Sequence, residues 1–69
     1  MSIPRQTKIY VEKLRNEADM KGSKIFEFNE MIRIGKEINL QVGDFKVFLE
    51  KLNSQNILIM KPNKMWELS

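Results

Sequence analysis

A chain of 69 residues with 42% hydrophobic content holds one core and one domain, because chains this short bury only roughly 60% of the surface their unfolded form exposes. It has no cysteine and no histidine, which removes disulfides, thiolate nucleophiles, zinc fingers and every imidazole-based triad or ligand set. Twelve basic and nine acidic residues leave a formal charge of +3, which permits contact with nucleic acid or acidic partners without requiring it.

Ser2 and Pro4 suit a helix start, since proline's fixed φ matches the first turn and its missing N–H would go unpaired there. Val11, Leu14 and Ala18 recur at i, i+3 and i+7, Tyr10 widens the stripe, and Gly22 ends it, so an amphipathic helix is predicted over 4–21. Lys8 and Glu12 stand at i, i+4, an expected solvated pair worth roughly 0.2–0.5 kcal/mol. Ile25-Phe26-Glu27-Phe28 reads as a strand over 25–28 with Phe26 and Phe28 on its buried face. Asn29 is then the expected N-cap, with Glu30 in the first turn, of a helix over 29–38 carrying Met31, Ile32, Ile34 and Ile38. Gly35 in its interior costs about 1 kcal/mol against alanine, which suggests either tolerance or a close approach by another helix.

Residues 39–44 read as a tight corner plugged by Leu40 and Val42. Phe45, Phe48, Leu49 and Leu52, at i, i+3, i+4 and i+7, predict a third helix over 44–54, closed by Asn53-Ser54-Gln55-Asn56. Two apolar arms around Lys61-Pro62-Asn63-Lys64 predict a hairpin with strands over 57–61 and 65–68. Trp66 and Leu68 share a face by the two-residue period, whereas Leu58/Met60 and Ile57/Ile59 are equally apolar, so the inward face of the first arm stays open. The longest apolar run is the four residues Ile57 to Met60, against the roughly 20 of a bilayer span, so no membrane contact is expected.

The order α-β-α-α-β-β is that of an α+β winged helix in one domain over 1–69, a helix-turn-helix unit backed by a small antiparallel sheet. A plain three-helix bundle with a frayed tail is the alternative, and the β-branched and aromatic side chains of the last twelve residues argue against it.

Ile25-Phe26-Glu27-Phe28, the run Gly35 to Phe45, Leu52-Asn53-Ser54-Gln55 and the run Lys61 to Leu68 resemble the C-terminal winged-helix domain of the minichromosome-maintenance (MCM) DNA helicases. The resemblance is strongest to the eighth, recombination-associated paralogue and runs without gaps from about Leu14 to Leu68. It implies a domain trailing an ATP-driven, ring-forming helicase of replication or homologous-recombination repair, in the nucleus if the source is eukaryotic and otherwise in the cytoplasm. Gly22, Gly35 and Gly43 form no phosphate-binding loop. No catalysis and no cofactor are therefore expected of this chain, ATP and magnesium belonging only to the parent helicase.

In a DNA-reading winged helix the third helix supplies side chains to the major groove. Here it offers Lys46 and Lys51, diluted by Asp44 and Glu50 and without an arginine for bidentate guanine recognition. The expected DNA contact is nonspecific, by Lys46 and Lys51 with Lys61 and Lys64 of the wing; four phosphate contacts would give a log-log salt slope of roughly −3.6. Lys61 and Lys64 also serve to guard an exposed hairpin edge. Met60, Met65 and Trp66 are candidates for an apolar docking patch, with core packing as their alternative use. The expected partner is a protein or another part of the helicase ring, and the isolated domain is expected to be monomeric. A free-standing, dimeric DNA-binding regulator of the same fold is the rival reading.

Overall fold

The structure, a computed structural model, describes residues 4–69; Ser2, half of the expected start signal, lies outside them. Three helices, α1 (Arg5–Lys21), α2 (Phe28–Glu37) and α3 (Phe45–Ser54), are joined to three strands, β1 (Ile25–Glu27), β2 (Leu58–Lys61) and β3 (Met65–Leu68), with a 3₁₀ turn (Pro62–Lys64) between the last two. The strands form one antiparallel sheet in the order β1-β3-β2.

Left-handed residues turn each helix out at its C-terminus. Gly22 (φ 71) ends α1, and the N–H groups of Gly22 and Ser23 both reach the carbonyl of Ala18, at 2.9 and 3.2 Å. Asn39 (φ 57) ends α2, where the N–H of Leu40 reaches the Gly35 carbonyl at 2.9 Å and that of Asn39 reaches Lys36 at 3.1 Å. Asn56 (φ 62) ends α3 in the same way, with Ile57 bonded to Leu52 and Asn56 to Asn53, both at 3.0 Å. Asparagine suits these positions because its short polar side chain tolerates the left-handed region and the paired bonds satisfy the last carbonyls.

The start of α2 departs from the sequence reading. The strand ends at Glu27, which occupies the N-cap position, and the Glu30 carboxylate accepts from the Glu27 N–H at 3.4 Å. Asn29 is an exposed first-turn residue rather than the cap. Phe28 is therefore the first helical residue, not the second inward residue of a strand, and its ring meets Phe45 edge-on at 5.9 Å. The Glu27–Glu30 spacing is a variant of the reciprocal cap box, and it overrides the better intrinsic cap two residues on.

The core lies between the helices and one face of the sheet. Tyr10, Leu14, Phe26, Met31, Ile34, Leu49, Leu52 and Leu58 are fully buried. Tyr10 sits centrally: its ring packs edge-on against Phe45 at 6.0 Å and Phe48 at 5.3 Å, and its hydroxyl donates to the Met31 carbonyl at 2.9 Å. A buried hydroxyl must find such a partner. The same burial pushes the Tyr10 phenol well above its ordinary pKa. Gly35 is buried too, and a Cβ there would lie 3.4 Å from Phe45 and 3.6 Å from both Leu40 and Tyr10, so this is a close approach between α2 and its neighbours.

Outside the core, Lys13 and Arg33 tie α1 to α2 through Glu17 and Glu37, at 3.6 Å for Lys13–Glu17, 3.4 Å for Lys13–Glu37 and 3.1 Å for Arg33–Glu17, with Arg33–Glu37 closing the square. The expected Lys8–Glu12 pair does not form among the described residues; α1 makes its i, i+4 pair at Lys13–Glu17, where acid and base also meet α2. Lys21 meets Glu30 at 3.0 Å, donates to the Ile25 carbonyl at 2.8 Å and lies 4.6 Å from the Phe26 ring centre.

Register resolves the open question of the hairpin. Leu58 pairs with Leu68 and Met60 with Trp66, while Phe26 faces Trp66 from the other side. Phe26, Trp66, Leu68, Leu58 and Met60 thus share the inner face, and Ile25, Glu67 and Ile59 line up across the outer one. Ile57 precedes the strand and packs half-buried against the core. Along β1, the backbone groups that turn away from β3 are held by side chains: Ser23 Oγ accepts from the Ile25 N–H at 3.2 Å, Lys21 Nζ donates to the Ile25 carbonyl, and Glu30 accepts from Glu27.

Candidate functional site

Beside the hairpin tip, a groove of about 400 Å³ is lined by Phe28, Lys46, Met60, Lys61, Lys64 and Trp66. Three elements converge there. Phe28 comes from the first turn of α2 and Lys46 from the first turn of α3, which Asp44 fixes by accepting from the Lys46 and Val47 N–H groups at 3.0 and 3.3 Å. Met60 and Trp66 are cross-strand partners on the inner face of the hairpin, and Asn63 (φ 65) and Lys64 (φ 60) turn the chain between the arms.

The groove combines apolar lining with exposed cations. Met60 is 55% exposed although it lies on the inward face, because the sheet extends past the core at this end. Trp66 is 5% exposed and contributes an edge only. Lys61 is bound to Glu67 at 3.3 Å on the outer face. Among the described residues Lys46 and Lys64 have no ion-pair partner, and the Asp44 carboxylate is occupied in capping α3.

The structure therefore brings together five of the seven residues expected at a site, Lys46, Lys61, Lys64, Met60 and Trp66, and separates two. Lys51 is five residues beyond Lys46 on α3, about 140° around the helix, and does not line the groove. Met65 pairs with Glu27 and Lys61 on the outer face, away from Met60 and Trp66. Sequence reasoning missed Phe28, because it placed that residue in the strand; the Glu27–Glu30 spacing was the signal that moves it into the helix. Among the described residues no helix is long and apolar enough to cross a membrane.

Two helices joined by a tight corner, backed by a three-stranded sheet whose terminal hairpin flanks the second of them, make this a winged-helix domain. The family model described as the MCM8 winged helix domain matches residues 1–69. DNA helicase MCM8 of Homo sapiens is 37% identical over 68 residues, which cover 99% of this chain and 8% of the relative. DNA helicase MCM8 of Rattus norvegicus is 35% identical over the same shares, and the probable DNA helicase MCM8 of Oryza sativa subsp. indica 28% over 99% of this chain and 9% of its own. The chain belongs to the MCM8 winged-helix domain family, and it spans about 8% of the length of the curated relatives it matches.

Proposed function

We propose that this domain is a non-catalytic module of an ATP-dependent MCM-type DNA helicase of replication or homologous-recombination repair, acting in the nucleus. It modulates the helicase by docking against a protein partner or another part of the ring. The groove supports this reading: an exposed methionine and a half-buried phenylalanine beside two unpaired lysines form the kind of surface that gains by losing water to a partner. Hydrogen exchange in the assembled helicase tests it. Amides of the hairpin tip and of the first turn of α3 should exchange more slowly than in the isolated chain, and equal rates would refute docking through this face.

A second reading, weak nonspecific DNA contact, is favoured by the freedom of Lys46, Lys51 and Lys64 from ion pairs among the described residues. With Lys61 bound to Glu67 and Lys51 turned aside, the groove end offers two phosphate contacts rather than four. The salt slope then falls to roughly −1.8. Titration of labelled duplex and single-stranded DNA at low salt measures it, and binding unaffected by Lys46→Glu and Lys64→Glu would remove this surface from DNA contact.

A further inference from the structure

The two free cations of the groove both stand where local physics disfavours them. Lys46 occupies the first turn of α3, where the positive end of the helix dipole repels a cation. Lys64 carries a side chain in the left-handed region at φ 60, a conformation that is routine only for glycine and, to a lesser degree, asparagine and aspartate. Each is a local-rule violation of the kind that concentrates at functional sites. Both violations line the same hollow, and they put two like charges at the margin of an apolar surface.

We propose that this groove takes an acidic peptide segment carrying one bulky apolar side chain. The inference rests on the docking reading above and names the chemistry of the docked partner. The apolar side chain would lie against Phe28, Met60 and the edge of Trp66, and carboxylates on either side of it would meet Lys46 and Lys64. About 400 Å³ falls at the low end of the roughly 300–1,000 Å³ range of binding clefts, room for one large side chain with adjoining backbone. An anionic partner would supply counter-charges to the two unpaired ammonium groups, and the apolar contact supplies the affinity that exposed lysines alone do not. A nucleic-acid backbone fits the same lysines less well, because it would bring charged phosphates against Met60 and Phe28 and leave the apolar lining without a matching group.

The test uses fluorescence anisotropy of this chain with four labelled probes: a short aspartate- and glutamate-rich peptide with one central phenylalanine, the same peptide with alanine at its centre, a neutral glutamine-and-serine version retaining the phenylalanine, and an oligothymidylate. The acidic phenylalanine peptide should bind best, and both the alanine and neutral versions should bind at least about fivefold more weakly. Met60→Ser should weaken the acidic phenylalanine peptide about tenfold while leaving oligothymidylate unchanged, whereas Lys46→Glu should weaken both. All these positions are exposed, and unchanged circular dichroism would verify that the variants fold.

Equal binding of the alanine peptide would reduce the contact to charge attraction and overturn the proposal, as would tighter binding of oligothymidylate at the same residues. A concentration-dependent dimer dissolved by Met60→Ser would assign the groove to a second copy instead. Failure of every peptide, with the hairpin amides still protected in the assembled helicase, would overturn the chemistry of the occupant and leave docking standing. Loss of that protection as well would refute the docking reading itself.

Discussion

Gly35→Ala should stabilise the domain even though Gly35 is buried among three side chains. The new methyl would lie 3.4 Å from Phe45 Cε1, 3.6 Å from Leu40 Cδ2 and 3.6 Å from Tyr10 Cε1, which is ordinary van der Waals contact, at the tight end against Phe45. Alanine in a helix interior gains about 0.8–1 kcal/mol over glycine. Burying one methyl adds at most about 0.8 kcal/mol, and the neighbours return part of that by adjusting. A net gain of about 1 kcal/mol corresponds to roughly 4–8 °C in Tm for a domain of this size. Thermal unfolding followed by circular dichroism, with Trp66 emission as a second probe, measures it. Gly35→Val would push two further methyls into the same three neighbours and should lose about 1–3 kcal/mol. A lower Tm for the alanine variant would refute the reasoning, since it would mean that α2 needs the closest approach glycine allows.

The Tyr10 hydroxyl supplies a separate check. Tyr10→Phe should cost about 1 kcal/mol through loss of the bond to the Met31 carbonyl. Because burial raises the folded-state pKa above the ordinary 10.0, the phenol's contribution is whole below that pH and shrinks above it as the unfolded chain releases its proton. Tyr10 is the one tyrosine, so tyrosinate absorbance should appear only at strongly alkaline pH and together with unfolding; ionisation of the intact fold near pH 10 would contradict its burial. Glu17 works in the opposite sense. The hydrogen bond from Arg33 holds its carboxyl below the ordinary 4.5, so its contribution is present above that value and disappears as pH falls through the folded value. Arg33→Met should flatten this acid limb in a pH series of thermal melts, and an unaltered limb would exclude the pair as its source. Lys46→Glu should gain about 0.3–1 kcal/mol from the dipole of α3 and Lys64→Gly about 1 kcal/mol from release of its left-handed backbone, both read by urea titration. Loss of stability in either would show that these lysines are structural.

The helices were legible because their apolar spacing matches burial residue by residue. Leu49 and Leu52 of the third stripe are fully enclosed, and Phe45 and Phe48 lie half-buried against Tyr10. The central role of Tyr10 was only partly legible: its place on the stripe follows from period, but its bond to Met31 crosses 21 residues of sequence. Inward and outward faces of the arm 57–60 could not be separated while all four of its residues were apolar; pairing of β2 with β3 separates them, because Trp66 and Leu68 fix the face and Leu58 and Met60 follow in register. The site divided for a similar reason. Composition named the lysines, but only the ion pair to Glu67 on the neighbouring strand neutralises Lys61, and only helical rotation turns Lys51 from the rest.

The first strand carries a further consequence. An uncovered edge is an invitation to any extended segment, from a neighbour or an unfolded chain, to add itself to the sheet. Along Ile25 and Glu27 that invitation is withdrawn, since a serine hydroxyl, a lysine ammonium and a glutamate carboxylate already hold the outward backbone groups. Crowded copies of the domain should therefore resist strand-by-strand polymerisation from this side, and Ser23→Ala combined with Lys21→Met should be what lets fibril growth begin there.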